Sequence, residues 1–382
     1  MTSGLRAFYR CEMVRLGMRE VVIVGGGIVG LLSALELTKR EISVLVIDDD
    51  DRGQASWAGG GILSPLYAWR YSDAMNLLTY DAMKRYLRLC DTLSGFGFGR
   101  ADLHQGGLWV HVADAEMDTA QCWAQKWGVR YGIRAGDSLI AGFPYSDGIF
   151  FPELGNIRNP RLLKALRGVL ISKGVRFIKD RVVSLSARQR GASLETRLGA
   201  RLDADRVLIN AGAGSGCLLT MLGLSLPLFP AKGEMLLYQL SPKKVPSVML
   251  TEAGYLIPRS DGSVLVGSTL RHGDASAYPT VAGRYQLENM AGRLLPELAG
   301  AKPLYHWAGV RPGSQADHPY IGAVPGCSGV FAAIGHYRNG LVAAPASAEL
   351  VAQLMCKEST SIDPQLYSLP STSRSRSSFL SR

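Results

Sequence analysis

A chain of 382 residues is too long for one ordinary core and long enough for two domains whose segments alternate along the sequence. Hydrophobic residues make up 47% and charged residues 19%, with 44 glycines, which excludes wholesale disorder and is typical of an α/β protein rich in tight turns. The net charge of +10 would suit nucleic acid or an anionic membrane, but much of it comes from arginines near the two ends, so neither partner is favoured.

The first predicted elements form a βαβ unit. An apolar run at residues 20–24 enters a glycine cluster, a helical pattern follows as far as Lys39 and Arg40, and residues 42–47 return to an apolar strand. Residues 1–18 are basic and lack the continuous apolar stretch of a signal or a membrane span. We therefore expect them to be a flexible extension.

The rest of the chain alternates between two secondary-structure patterns, one of helices with short strands and one of antiparallel strands. Helical patterns at 74–93, 114–127 and 160–172 and short strands at 175–178, 182–185 and 206–210 come first. Residues 234–240, 255–257 and 264–266 then predict antiparallel strands, the last two joined across Asp261 and Gly262. A buried strand at 330–334 and a helix at 341–355 complete the pattern, and the serine- and arginine-rich tail is expected to be disordered.

Three glycines carry a dinucleotide-binding fingerprint. Gly25, Gly27 and Gly30 form G-x-G-x-x-G directly after a predicted strand and at the start of a helix. The first allows the tight turn, the second lets backbone approach a pyrophosphate, and the third lets helix and strand pack closely. Asp48 ends the second strand, where a carboxylate can accept the ribose hydroxyls, although Asp49 leaves that assignment open by one residue.

Three further features favour FAD over a nicotinamide cofactor. A second glycine loop at 56–63 would let backbone lie against a wide ring, and a strand at 207–210 ends in the glycine-containing run 211–214. The strand at 330–334 leads into a late helix, whose positive N-terminal end would stabilise negative charge on a reduced flavin.

These motifs resemble those of the D-amino-acid oxidase superfamily and, within it, the bacterial glycine oxidases associated with thiamine biosynthesis. The similarity runs from about Glu20 to Met355. The motifs that carry it are VGGGIVG (24–30), AGGGIL (58–63), GYLIPR (254–259), WAGVRP (307–312), DHPYIG (317–322) and GHYRNG (335–340). The resemblance implies an α/β fold with a Rossmann-like FAD-binding domain of the GR2 type, and a second, α+β substrate domain built on an antiparallel sheet.

The resemblance also divides the chain into domains. Its segments 19–95, 150–225 and 312–358 are assigned to the FAD-binding domain, segments 96–149 and 226–311 to the substrate domain, and residues 359–382 to a flexible tail.

Site residues follow from the same motifs. Arg311 is implied to bind the substrate carboxylate, with the Tyr255 hydroxyl as its partner and Arg338 nearby, although Arg338 could equally serve the flavin or cap a helix. The residues expected to bind FAD are Gly25, Gly27, Ile28, Val29, Gly30, Asp48, Asp49, Ala55, Ser56, Gly60, Gly61, Ile62, Val183, Gly212, His336, Tyr337, Arg338, Asn339, Gly340, Leu341 and Val342.

Two departures from related enzymes sharpen the expectation. Some glycine oxidases carry a histidine two residues before the tyrosine, where this chain has Ala253, so its substrate range could differ. Sarcosine oxidases bind flavin covalently through a cysteine near the position of Arg311 and Pro312, and this chain has none there. We expect non-covalent FAD and no metal.

The implied activity is oxidation of glycine, and also of sarcosine and small D-amino acids, to glyoxylate, ammonia and hydrogen peroxide, feeding thiazole formation in thiamine biosynthesis. Two alternatives stay open: a D-amino-acid dehydrogenase that reduces quinone, and a tRNA-modifying flavoprotein of the same superfamily. The six scattered cysteines favour the cytoplasm. The expected partners are a small amino acid and oxygen, with no membrane span, in a homo-oligomer.

Overall fold

The computed structural model describes residues 14–15, 20–50, 53–241 and 244–371. Its strands are β1 (Val14–Arg15), β2 (Glu20–Val24), β3 (Ser43–Asp48), β4 (Leu108–His111), β5 (Gly132–Ile133), β6 (Gly148–Phe151), β7 (Arg176–Lys179), β8 (Val182–Ala187), β9 (Ala192–Thr196), β10 (Arg201–Ala204), β11 (Val207–Ile209), β12 (Leu228–Gln239), β13 (Val248–Thr251), β14 (Gly254–Pro258), β15 (Ser263–Gly267), β16 (Arg271–His272), β17 (Tyr305–Ser314), β18 (Tyr320–Ala323) and β19 (Val330–Ile334). Its α-helices are α1 (Ile28–Lys39), α2 (Ala55–Ala58), α3 (Asp73–Thr79), α4 (Ala82–Gly95), α5 (Asp114–Lys126), α6 (Asn159–Ser172), α7 (Ser215–Met221), α8 (Val281–Leu294) and α9 (Gly340–Cys356).

A six-stranded sheet in the order β18-β19-β11-β2-β3-β7 carries the dinucleotide fingerprint. Its strands are parallel except for β18, which pairs antiparallel with β19 at the edge. All five residues of β2 are buried, as expected for a central strand covered on both faces. Helix α1 follows β2 directly and packs against α9, the last long helix of the chain.

A second sheet of nine strands is almost entirely antiparallel. Its order is β16-β12-β15-β14-β13-β4-β6-β5, and β17 pairs with β12 along ten consecutive positions. Only β13 and β4 pair in parallel. The two sheets come from segments that alternate along the chain, and this agrees with the α/β fold predicted from the motifs. The domain boundaries given above stay a prediction.

A smaller sheet has the order β1-β10-β9-β8. Its strand β1 lies in the predicted N-terminal extension, residues 1–18. Of that extension the structure describes Val14 and Arg15 alone.

The packed part of the chain continues beyond the predicted boundary at residue 358. Tyr367 is fully buried, and its hydroxyl donates a hydrogen bond to the Ala74 carbonyl in α3 at 2.7 Å. Leu369 is buried as well. Residues 372–382, the remainder of the predicted tail, lie outside the described residues. Within the described ranges, no helix is both long and apolar enough to cross a lipid bilayer.

Candidate active site

A cavity of about 1040 Å³ is lined by residues of both large sheets and by the loops that follow β2, β3 and β11. At one side lie the first glycine loop and the end of β3, and at another lie residues from β13, β14 and β17. Its size is in the upper range of small-molecule and cofactor pockets. The cavity can hold a dinucleotide together with a small substrate.

The first glycine loop shapes one wall of the cavity. Gly25 has φ +114°, and a side chain there would overlap the Asn210 carbonyl. A Cβ on Gly27 would lie 3.0 Å from the Ser56 hydroxyl, which accepts a hydrogen bond from the Ile28 N–H at 2.9 Å. Gly25, Gly27, Ile28 and Val29 line the cavity. The start of α1 therefore faces the cavity with bare backbone, as anion binding requires.

Gly30 does not line the cavity. A side chain on it would overlap the Gly25 carbonyl, so this glycine permits the close contact of helix and strand.

Asp48 lies at the end of β3 and lines the same wall. One carboxylate oxygen accepts from the Gly26 N–H, and the other accepts from the Asp50 N–H at 2.8 Å and from the Gln54 amide at 2.9 Å. Asp49 also lines the cavity and pairs with Arg181. These contacts fix the Asp48 carboxylate at the cavity wall.

The second glycine loop, 59–61, forms another wall. Gly61 has φ +86°, and a side chain there would overlap the Ile157 carbonyl. The Asn159 amide donates to the Ser56 carbonyl at 2.9 Å and holds the start of the loop. Ala55, Ile62, Val183 and Gly212 line the cavity too. Bare backbone on two walls and a fixed carboxylate at the end of β3 fit FAD.

The GHYRNG motif supplies the start of α9. His336, Tyr337, Arg338, Gly340 and Leu341 line the cavity, whereas Asn339 and Val342 are buried behind it. His336 interacts with the Ser347 hydroxyl at 3.1 Å. Burial lowers the pKa of His336 to about 4, so this imidazole is neutral at pH 7.

Arg311 lies in β17, and its guanidinium borders the cavity. One terminal nitrogen, Nη2, donates to the Ser268 hydroxyl at 2.9 Å. The other, Nη1, is buried and has no hydrogen-bond partner among the described residues. Burial lowers the pKa of Arg311, and the charge of Arg338 adds to this effect, whereas Tyr255 opposes it. An arginine stays protonated in such a setting, so the site holds a buried cation with an open donor.

Tyr255 lies in β14 and is 7% exposed. Its ring is close to the second glycine loop and to Gly267, because a Cβ on Gly60 would lie 3.6 Å from the ring and one on Gly267 would lie 3.1 Å from it. Arg311, Tyr255 and Arg338 thus border one region of the cavity.

Sequence reasoning assigned no role to several residues that shape this region. Ser268 orients Arg311, and Gly233 leaves room for the guanidinium, because a side chain on Gly233 would overlap it. Gln54 fixes Asp48, and Arg259 contacts the second glycine loop. Gln54 adjoins the second glycine loop and Arg259 ends the GYLIPR motif, but Ser268 and Gly233 carry no local signal and become visible only through their contacts.

Comparison with known proteins agrees with this geometry. The family described as FAD dependent oxidoreductase (DAO) matches residues 20–354. The chain is 40% identical over 358 residues to glycine oxidase of Pseudomonas putida, covering 91% of this chain and 98% of that protein.

Two solved structures resemble the fold closely. The crystal structure of glycine oxidase from Geobacillus kaustophilus superposes with a TM-score of 0.85 at 25% identity, covering 92% of this chain and 99% of that one. Iminodiacetate oxidase from Chelativorans sp. BNC1 gives a TM-score of 0.82 at 26% identity, covering 91% and 98%. The chain therefore belongs to the FAD-dependent oxidoreductase (DAO) family, and it is an oxidoreductase with FAD as its cofactor.

Proposed function

We propose that this enzyme is a glycine oxidase. It would convert glycine, water and oxygen to glyoxylate, ammonia and hydrogen peroxide, and would also accept sarcosine and small D-amino acids. The observation that carries the proposal is the buried Arg311 guanidinium, whose Nη1 lacks a partner among the described residues. A planar cation with an open donor at the cavity wall suits a carboxylate, which can accept two parallel hydrogen bonds.

The substrate would bind through its carboxylate to Arg311, with the Tyr255 hydroxyl as a further contact. Arg338 would add positive charge, because it lines the same cavity and acts electrostatically on Arg311. Ser268 would fix the orientation of the Arg311 guanidinium by accepting a hydrogen bond from its Nη2 at 2.9 Å. Together these groups would select an anionic substrate and hold its α-carbon in one position.

The chain's own residues would act mainly by positioning. Bound FAD would supply the acceptor for the hydride of the α-carbon and the route of those electrons to oxygen. We assign no general acid or base. His336 is neutral at pH 7 and bonded to Ser347, so its proposed role is to support the start of α9.

The FAD site would use three groups of residues. Gly25, Gly27, Ile28 and Val29 would meet the pyrophosphate, with Gly30 as packing support. Asp48, Asp49, Val183 and Gly212 would surround the adenosine half. The groups proposed around the flavin ring are Ala55, Ser56, Gly60, Gly61, Ile62 and residues 336–342, in which Asn339 and Val342 lie behind the cavity wall.

A substrate panel tests the proposal. Glycine, sarcosine, D-alanine, D-proline, iminodiacetate and L-amino acids are supplied under air, and peroxide and 2-oxo acid are measured together. We expect the highest kcat/KM for glycine or sarcosine and one peroxide for each substrate consumed. A preference for iminodiacetate or for L-amino acids would refute glycine oxidase while leaving the FAD enzyme intact.

The same assay addresses the electron acceptor. The curated relative named above is an oxidase, which favours oxygen. If substrate is consumed only when a quinone is added and no peroxide forms, the alternative of a D-amino-acid dehydrogenase replaces the oxidase. Acid precipitation should release all flavin into the supernatant, as non-covalent binding requires.

The place of the product in thiamine biosynthesis is proposed from the family resemblance. A cytoplasmic location and a homo-oligomer are proposed as well. The five cysteines that the structure describes are free thiols, in keeping with a reducing compartment. Light scattering of the purified holoenzyme would give the oligomeric state.

A further inference from the structure

Arg259 is a buried cation that the proposed chemistry does not use. It follows β14 directly and begins the turn to β15, where its N–H donates to the Ser263 carbonyl at 2.9 Å. The side chain points inward, and the residue is 6% exposed. Burial lowers the pKa of Arg259 to about 10, so the guanidinium is still charged at neutral pH.

The hydrogen bonds of this guanidinium go to neutral groups. Nη1 donates to the Asn156 side-chain oxygen at 2.7 Å and to the Ile157 carbonyl at 3.1 Å. Nη2 donates to the Gly60 carbonyl at 2.8 Å. The carboxylate of Asp102 acts on Arg259 electrostatically, but its ion pairs are with Arg158 and Arg161. A buried charge held by neutral acceptors costs free energy, so its position needs a reason.

Arg259 joins the second glycine loop, which lines the cavity, to residues 156–157, which do not line it. Ile157 N–H donates to the Gly61 carbonyl at 2.9 Å, and Ile62 pairs with Asn156 in a short antiparallel bridge. Gly60, Gly61 and Ile62 line the cavity, whereas Arg259 lies behind them. Arg259 therefore supports the second glycine loop from its far side.

The contact with Gly60 also fixes the direction of a peptide group. In a trans peptide the C=O and the N–H point in opposite directions, so the Gly61 N–H is turned away from Arg259. A charged donor on the carbonyl polarises the whole peptide and strengthens its N–H as a donor. The loop thus presents a fixed and polarised peptide next to the cavity.

We infer that Arg259 is a positioning residue that holds the Gly60–Gly61 peptide against the flavin ring and thereby sets both FAD affinity and flavin reduction potential. The inference rests on the proposed placement of the ring beside loop 59–61. It does not depend on which amino acid is the substrate. A nearby cation and a polarised donor both favour the electron-rich, reduced cofactor over the oxidised one.

Arg259→Met tests the inference, because methionine keeps much of the apolar volume and removes the charge and all three hydrogen bonds. The FAD dissociation constant is measured by titration of the apoprotein, and the midpoint potential is measured against a reference dye with a chemical reductant. No amino acid is present, so a wrong substrate assignment cannot affect either result. We expect roughly 10- to 100-fold weaker FAD binding and a more negative potential. Each tenfold loss in affinity for reduced relative to oxidised FAD corresponds to about 30 mV for a two-electron couple.

Two further variants keep the inference falsifiable if Arg259→Met does not fold. Arg259→Lys keeps a cation but cannot reach all three acceptors together, so FAD binding should weaken while the potential stays closer to that of the wild type. Arg161→Met is the matched control, an arginine paired with the same Asp102 but half exposed, and it should change neither quantity. A folded Arg259→Met or Arg259→Lys with wild-type FAD affinity and potential would overturn the inference. So would a loss of thermal stability alone, since that result would mean a purely structural role.

Discussion

The β12–β17 strand pair has buried charged side chains on both faces, and the two faces differ in whether those charges have partners. Gly233 pairs with Gly309 and Ala231 pairs with Arg311, and this face borders the cavity. Side chains alternate along a strand, so Lys232 and Glu234 lie on the other face. Both are almost fully buried, yet each has partners inside the protein.

On the face of Lys232 and Glu234, here called the back face, both charged groups have partners within the protein. Lys232 lies 3.5 Å from Glu234 and 3.7 Å from Asp274, and Glu234 accepts hydrogen bonds from the Thr280 N–H and hydroxyl, each at 2.9 Å, and interacts with His306 at 2.9 Å. Burial opposes ionisation of Glu234, but Thr280, Lys232 and His306 outweigh it and lower the pKa of that carboxyl. On the cavity face, Arg311 keeps a donor without a partner among the described residues. The difference separates a charge that stabilises the fold from one that is available to a ligand.

The largest effect is expected on the back face. Glu234→Ala leaves Lys232 buried without its main counter-charge and removes the acceptor of Thr280, so the free energy of unfolding should fall by about 3–5 kcal/mol. Urea unfolding of the apoprotein measures this loss. The control is Glu288→Ala, which removes a half-exposed ion pair with Arg284 and should cost about 0.5 kcal/mol or less. Equal losses in the two variants would mean that Glu234 is not a structural charge.

Arg311→Lys should lower the catalytic efficiency without lowering the stability. Lysine keeps the charge but not the two-pronged geometry, so kcat/KM for glycine should fall by about 2–4 kcal/mol, roughly 30- to 1000-fold. FAD content and the unfolding midpoint should barely change. The control is the slow oxidation of an amine that lacks a carboxylate, whose rate should be nearly the same in the wild type and in Arg311→Lys. Near-normal glycine oxidation would shift the carboxylate contact to Arg338.

His336 provides a buried group that carries no charge at pH 7. Its pKa in the folded protein is about 4, below the usual value of 6.5, so between these pH values the unfolded chain binds a proton that the folded chain does not. Stability should therefore fall as the pH drops from 7 to 5, by about 2 kcal/mol from this residue. His336→Gln should remove that part of the slope in urea unfolding at the two pH values. An unchanged slope in His336→Gln would mean that other groups carry the pH dependence.

The smallest expected effect concerns the support of Arg311. Ser268→Ala removes the hydroxyl that accepts from Nη2, and should raise KM for glycine about fivefold, or about 1 kcal/mol, with kcat little changed. Steady-state kinetics with glycine measures it. If KM is unchanged, the Ser268 hydroxyl does not orient the guanidinium for glycine.

How far the sequence could predict this protein depends on the distance between partners along the chain. The fingerprint of Gly25, Gly27 and Gly30 and the acid at Asp48 lie within one βαβ unit, so their pattern is visible in a short window. The FAD-binding fold followed from such local patterns and from the family resemblance.

The unpredicted parts depend on contacts between distant segments. Arg259 ends the GYLIPR motif, but the motif does not indicate its role, because its acceptors are at residues 60, 156 and 157. Residues 359–371 are mostly polar and were predicted as part of a tail, but Tyr367 fills a buried site against Ala74. The roles proposed for Arg311 and Tyr255 came from the resemblance, because a lone arginine and a strand tyrosine do not by themselves indicate a function.

The packing of α1 against α9 has a consequence for how the chain is made. Helix α1 leaves the ribosome early, but α9 and the sheet strand β19, next to β11, follow roughly 300 residues later. At about 5–20 residues per second, the face of α1 that packs against α9 remains without that partner for about 15–60 s. Chaperone binding to nascent chains should therefore be strongest before β19 and α9 emerge, and fall sharply once they do.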